Sequence, residues 1–277
     1  MWNLAKIIKA TAIVCDRNRT DHYSYEETTE AIQELNTQMA LPSVFRLRKK
    51  FVMDHERGID IALARKDKHF DYQAKKIIPV ITDQNYMETL PVNTVGASYG
   101  HLIKQWSFFD LWERRLTEDS KASDVMPNPL MAGIWFNISR HIFISHDFWH
   151  VMARYDTSRL GEACIMGITH TAIKTTGAWY IAHAIAAKMC WEYKSILPWK
   201  AVRESIRIGN AINRDFWYLN PLEIIEEDVE KTREKYNVGV CEEFIRFNNT
   251  FKEEFRNDNV HPEYNDPKTQ KLVAQEV

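Results

Sequence analysis

Apolar residues recur at three- and four-residue intervals through long stretches of this chain, with charged residues between them, and no other feature constrains its fold as much. Runs such as "YEETTEAIQELNTQMA", "TAIKTTGAWYIAHAIAAKMCWEY" and "PLEIIEEDVEKTREKY" put their hydrophobic side chains on one face of a 3.6-residue helix. No stretch shows the two-residue alternation of a half-buried strand. The chain therefore reads as all-α, a single multi-helix domain with a polar C-terminal tail. The pattern predicts helices near 4–14, 24–39, 43–53, 57–65, 95–116, 129–154, 160–193, 198–207 and 221–235. Ser24 and Thr20 are placed to cap the first acidic helix, and Pro42, Pro91, Pro127, Pro129, Pro198 and Pro221 punctuate the segments. No Gly/Ser-rich linker and no internal repeat divides the chain. We place the helical domain at 1–240 and a polar extension at 241–277, because "RNDNVHPEYNDPKTQKLVAQEV" holds too few core-forming side chains to fold alone.

Composition narrows the function classes. The 277 residues are 45% hydrophobic, enough for a substantial core. Lys plus Arg number 36 against 38 Asp plus Glu, so no global field recruits nucleic acid, and none is expected as a partner. Cys15, Cys164, Cys190 and Cys241 are scattered without a paired spacing, which argues against a disulfide scaffold or a cysteine zinc site and fits a reducing compartment. The first residues, "MWNLAKIIKATAIVC", carry Lys6 and Lys9 and no A-x-A pattern, so no secretory signal is expected. The most apolar windows, "LMAGIWFNI" and "GAWYIAHAIAA", fall short of the roughly 20 residues a membrane span needs.

The chemistry concentrates in "SHDFWHVMARYDTSRLGE". His146 and His150 stand four apart, so on a helix both imidazoles leave one face, one above the other. Asp147 is able to ligate at the edge of that face or to hold an imidazole as a hydrogen-bond acceptor. The run "DTSRLG" reads as a turn in which Asp156 or Ser158 caps the next helix, so Glu162 opens a helix that folds back toward the histidines. Two imidazoles with one or two carboxylates suit Zn²⁺, and also Fe²⁺ or Mn²⁺, with a coordination position left for water or substrate. A histidine pair at this spacing also arises by chance. Buried carboxylates among aromatic side chains, which need a partner, strengthen the metal reading. His141, His170 and His183 read as core or cavity histidines. A zincin helix would carry Glu where Asp147 stands, a phosphohydrolase of the adjacent His-Asp type would need distant partners for which His101 and Asp215 are only generic candidates, and a di-iron bundle would need two Glu-x-x-His repeats.

"HDFWH", eleven residues and then Glu162 resemble the HDxxH-x11-E signature of the Coq4 family of ubiquinone (coenzyme Q) biosynthesis proteins. The likeness extends to "DRNRTDHYSYEETT", "DHERGIDIAL", "LPVNTVGASYGHLI", "YDTSRLGE" and "PLEIIEEDVEKTREKYNV", and so covers roughly residues 12–240. Where the family commonly has Thr-Gly after its His-Val-hydrophobic triplet, this chain has Ala153 and Arg154, and its tail exceeds the usual end.

The resemblance implies an all-helical protein in which His146, Asp147, His150 and Glu162 hold a divalent metal, Zn²⁺ foremost and Fe²⁺ or Mn²⁺ as alternatives, and are the catalytic residues. The implied reaction is metal-dependent oxidative decarboxylation at a membrane surface, replacing the C1 carboxyl of a polyprenylated hydroxybenzoate with hydroxyl. The alternative is a non-catalytic scaffold that binds an isoprenoid or quinone lipid and organises the other ubiquinone biosynthesis enzymes. A homodimer is compatible with either. Trp135, Phe136, Phe148, Trp149, Trp179 and Tyr180 would offer apolar walls for a ring and prenyl tail, although such stripes are more often plain core. The basic clusters "RLRKK" at 46–50, "RKDKH" at 65–69 and Lys75–Lys76 would rest on an anionic bilayer, each nearby cation contributing about 1 kcal/mol. The expected location is the cytoplasmic side of the inner membrane in a bacterium, or the matrix side of the mitochondrial inner membrane in a eukaryote.

Overall fold

The structure, a computed structural model, describes residues 3–16, 22–24, 27–28, 30–32, 34–35, 76–77, 79–104, 145–173 and 176–251. Among them no strand occurs, and the fold is all-α. In chain order the helices are α1 (Leu4–Val14), α2 (Gln84–Thr89), α3 (Val95–Lys104), α4 (145–153), α5 (Arg159–Ile173), α6 (Thr176–Tyr193), α7 (Leu197–Ala211), α8 (Pro221–Ile224), α9 (Val229–Tyr236) and α10 (Glu242–Thr250), with a 3₁₀ turn at Arg214–Tyr218.

Local chemistry accounts for several of the starts. The Asn3, Asp83 and Asn220 side chains each accept a backbone N–H of the first turn of α1, α2 and α8. Ser24 forms a reciprocal capping box with Glu27: the Glu27 N–H donates to Ser24 Oγ at 3.1 Å and the Ser24 N–H to Glu27 Oε2 at 2.8 Å. Thr20 and the helices expected at 43–53 and 57–65 lie outside the described residues.

Two expected helices are divided. The run 160–193 is α5 followed by α6, which lie against each other. The run 221–235 is α8 and α9. Here the backbone of 225–229 bonds elsewhere: Val95 N–H donates to Glu227 O, Gly96 N–H to Ile225 O at 2.7 Å, and Val229 N–H to Asn93 O at 2.9 Å, around an isolated bridge of Thr94 with Asp228. A helix through these residues would forfeit those bonds.

The chain divides into two compact units: Met1–Arg46 with Ala153–Arg214 and Asn237–Val277, and Leu47–Met152 with Asp215–Tyr236. In the first, α5 packs on both α6 and α7, α1 lies on α6, and α10 lies on α7. Leu160, Cys164 and Ile165 of α5 and Ala182, Met189 and Val202 of its neighbours are wholly buried. The α5–α7 crossing is close enough to require glycine. A Cβ at Gly209 would stand 2.4 Å from Thr171 Oγ1.

The first residues of the expected tail carry a helix, α10, that packs on the core. Phe244 and Phe247 of α10 are buried, with ring centroids 5.0 Å from Tyr155 and 5.1 Å from Tyr193, and Phe251 meets Tyr193 at 5.1 Å. Two tyrosines supplied by distant segments make three phenylalanines enough to bind this helix.

In the second unit Tyr99 of α3 stacks on Phe148 of α4 at 4.0 Å with planes 5° apart, and Trp149 meets Trp217 edge-on at 5.2 Å. No helix among the described residues is long and apolar enough to cross a membrane.

Burial sets a limit on alkaline stability. The hydroxyls of Tyr99 and Tyr155 and the thiol of Cys164 are all pushed well above their ordinary ionisation range, first by desolvation. A group whose folded value is raised keeps its proton when the unfolded chain has lost it, so stability is fully present below the unfolded values and falls as pH rises past them. Urea midpoints should hold until about pH 8.5, the ordinary cysteine value, and decline steadily toward about pH 10, that of tyrosine. The same argument predicts that native Cys164 resists alkylation that it accepts once unfolded.

Candidate metal centre

The stretch 145–162 builds a helix end, a turn and a helix start. On α4 the rings of His146 and His150 lie with centroids 4.8 Å apart, as the four-residue spacing requires. His146 is half-buried and His150 is 0% exposed.

Arg154 ends α4 with φ 60°, the left-handed conformation that closes many helices and that glycine adopts without strain. It stands where the Coq4 family commonly has glycine. Because a side chain there costs conformational energy, Arg154→Gly is expected to raise the unfolding free energy by about 0.5–1 kcal/mol, unless the contacts of this 6% exposed arginine outweigh the relief. A lower urea midpoint for the variant would show that those contacts win.

Beyond Arg154 the turn is held from within. Asp156 Oδ1 accepts the Ser158 N–H at 3.0 Å, Ser158 Oγ accepts the Gly161 N–H at 3.1 Å, and Glu162 N–H donates to Ser158 O at 2.8 Å. Ser158 is thus the cap of α5, one of the two candidates the sequence offered, and Asp156 orders the residue that caps. Gly161 is indispensable here because a Cβ would lie 1.9 Å from Asp156 O. This packing of the turn against the first residues of α5 sets the direction in which Glu162 leaves the helix.

His146, His150 and Glu162 come together, each offering a ligand atom, all within 4.8 Å of one another. A tetrahedron with bonds of about 2.1 Å has edges of roughly 3.4 Å, so side-chain rotation of the order of 1 Å closes the set around an ion. Asp147 stands outside this group. Its Oδ1 lies 3.1 Å from His146 Nδ1, the geometry in which the imidazole N–H donates to the carboxylate and leaves Nε2 for a metal. Of the two roles the sequence left open for Asp147, this geometry matches the acceptor. The Asp147 charge also adds to the upward push on the Tyr99 hydroxyl, behind desolvation.

Arg233 is the residue that sequence reasoning missed. It is 3% exposed; its Nε donates to Met152 O at 3.0 Å and its Nη2 to Val151 O at 2.5 Å, while Nη1 pairs with Glu230 Oε1 at 2.5 Å. A cation donating to the last carbonyls of α4 complements the negative end of its dipole and fixes the helix that carries both histidines. In "EEDVEKTREKY" it looks like one more charge on a solvated face, and nothing in the string distinguishes it.

The remaining candidates separate as follows. Phe148 and Trp149 are 2% and 3% exposed and serve the core, bordering with Ser145 and Phe216 a cavity about the size of a water molecule. Tyr180 meets Thr11 Oγ1 at 3.0 Å, and Trp179 is 44% exposed. His170 is half-buried two turns beyond Glu162 on α5, and His183 lies between Trp179 and Trp199, its Nδ1 donating to Trp179 O at 2.7 Å. His101 and Asp215 are exposed. Trp135, Phe136, His141 and the basic clusters at 46–50 and 65–69 lie outside the described residues.

No protein-family model and no curated protein matches this chain. The fold has a precedent among solved structures. A protein of Nostoc punctiforme PCC 73102, whose crystal structure bears the name "putative ubiquinone biosynthesis protein", matches with a TM-score of 0.52 over 86% of this chain and 100% of its own, at 14% sequence identity. At that identity the likeness speaks for the fold.

Proposed function

We propose that this chain is a metal-dependent enzyme of ubiquinone biosynthesis that replaces the C1 carboxyl of a polyprenylated hydroxybenzoate with hydroxyl. The observation that carries the reading is the convergence of His146, His150 and Glu162, the same residues through which the sequence resembles the HDxxH-x11-E signature. The fold shared with the Nostoc protein, by its name, points the same way.

The donor set fits a divalent ion. Two neutral imidazoles and one carboxylate satisfy Zn²⁺, Fe²⁺ or Mn²⁺ and leave positions open, as catalytic rather than structural sites do. When bound, such an ion supplies Lewis acidity toward the carboxylate or phenol oxygens of the substrate. The chain's own residues do the rest. Asp147 fixes the ring of His146, Arg233 holds the end of α4, and the Ser158 cap with Gly161 aims Glu162. Overall the carboxyl leaves as CO₂ and a hydroxyl enters from water, the two electrons passing to dioxygen, so that acid, O₂ and H₂O give phenol, CO₂ and H₂O₂.

The test uses purified chain loaded in turn with Zn²⁺, Fe²⁺ or Mn²⁺ in detergent micelles, a short-chain 4-hydroxy-3-methoxy-5-prenylbenzoate, and mass spectrometry under ¹⁸O₂. Release of CO₂ with a hydroxylated product, absent in His150→Ala, is the expected result. Binding of the acid without product for any of the three metals transfers the chain to the scaffold reading.

A further inference from the structure

From residue 187 to residue 207 every exposed side chain is apolar or cationic. The exposed positions are Ala187, Lys188 and Trp191 of α6, Lys194 and Ile196 of the turn, and Lys200, Arg203 and Arg207 of α7. Both carboxylates of the stretch turn inward. Glu192 accepts from the buried Arg159 at 2.8 Å and pairs with Lys188 at 3.3 Å. Glu204 accepts the Glu243 backbone N–H at 2.9 Å and the Cys241 thiol at 3.3 Å, and pairs with Arg207 at 2.8 Å. Trp191 is 72% exposed and Ile196 57%, two large apolar side chains set among the cations. They flank the reversal at Lys194, whose φ is 50° and whose Nζ stands 4.1 Å over the Trp191 ring.

We infer that the α6–α7 corner is a docking surface for an anionic lipid bilayer, with Trp191 and Ile196 entering the headgroup layer and Lys188, Lys194, Lys200, Arg203 and Arg207 facing lipid phosphates. Charge decides the occupant. A second copy of this chain docked through the same face would set these cations against their own duplicates. An anionic surface complements all of them at once, and an amphipathic tryptophan beside lysine aliphatic stems is the side-chain chemistry that settles at a membrane–water boundary. The corner is distinct from the basic clusters that the sequence singled out, and it stands whatever the metal centre does. If that centre handles a prenylated acid, the corner brings the chain to the phase in which such a substrate dissolves.

The experiment is flotation of the full chain with phosphatidylcholine vesicles, with and without phosphatidylglycerol. Binding is expected only with the anionic lipid and should be lost at high salt. Each cation removed should weaken partitioning about fivefold, so Lys194→Glu with Lys200→Glu should weaken it by more than about 25-fold. Trp191→Ala with Ile196→Ser should abolish quenching of tryptophan emission by brominated lipids while circular dichroism and bound metal stay as in the wild type, which separates failure here from failure of the metal reading. The inference is overturned if the wild type ignores anionic vesicles, if both double variants bind as it does, or if Trp191→Ala instead dissolves a dimer seen by analytical ultracentrifugation.

Discussion

His150→Ala and Glu162→Ala are each expected to lose the divalent ion that the proposed centre would carry through gel filtration, and elemental analysis is the measurement. Each removes one of the three ligand atoms that converge among the described residues, so affinity should fall by more than the roughly 10- to 100-fold that loss of a ligand's hydrogen-bonding partner costs. Asp147→Asn supplies the comparison. It keeps the shape beside His146 Nδ1 but removes the charge, so its loss should stay within that 10- to 100-fold range. Thermal unfolding provides a second readout. An ion present at a hundred times its dissociation constant adds about 2.7 kcal/mol, so added metal should raise the wild-type midpoint and leave those of His150→Ala and Glu162→Ala where they were. Equal metal content in all four proteins would remove the centre from the account.

Arg233→Met should cost about 2–4 kcal/mol in urea unfolding, the order expected for removing a buried cation that donates to two main-chain carbonyls and to a 31% exposed carboxylate. The methionine fills the aliphatic volume but donates nothing, leaving the carbonyls of Val151 and Met152 without the guanidinium that serves them and Glu230 without its cation. Arg233→Lys keeps the charge and can reach one of these acceptors, so it should recover part of the loss but not all. The two variants also separate packing from positioning: if Arg233 holds the end of α4 in place, metal affinity will rise from Met to Lys to Arg in step with stability. A change below about 1 kcal/mol for Arg233→Met would mean that water replaces the guanidinium at little cost.

The helical class, the pairing of His146 with His150 and the cap ahead of Glu162 were all legible in the sequence because each depends on residues within a turn or two of one another. Four-residue spacing aligns side chains on any α-helix, and a serine three residues before a glycine N–H can cap wherever the chain turns. The role of Asp147 was half-legible. Adjacency to His146 offered both ligation and hydrogen bonding, and only the rotamers chose.

What the sequence by itself determined is local: which segments are helical, which imidazoles share a face, where α5 begins. The tertiary structure alone decided that Arg233 reaches across 81 and 82 residues of sequence to the carbonyls of α4, that 225–229 bonds to 93–96 and so splits the last acidic helix, and that α10 joins the core through Tyr155 and Tyr193. The physical reason is range. Helix propensity, capping and side-chain spacing act within about one turn, whereas a buried guanidinium or an aromatic pair is stable only once distant segments have excluded water around it together.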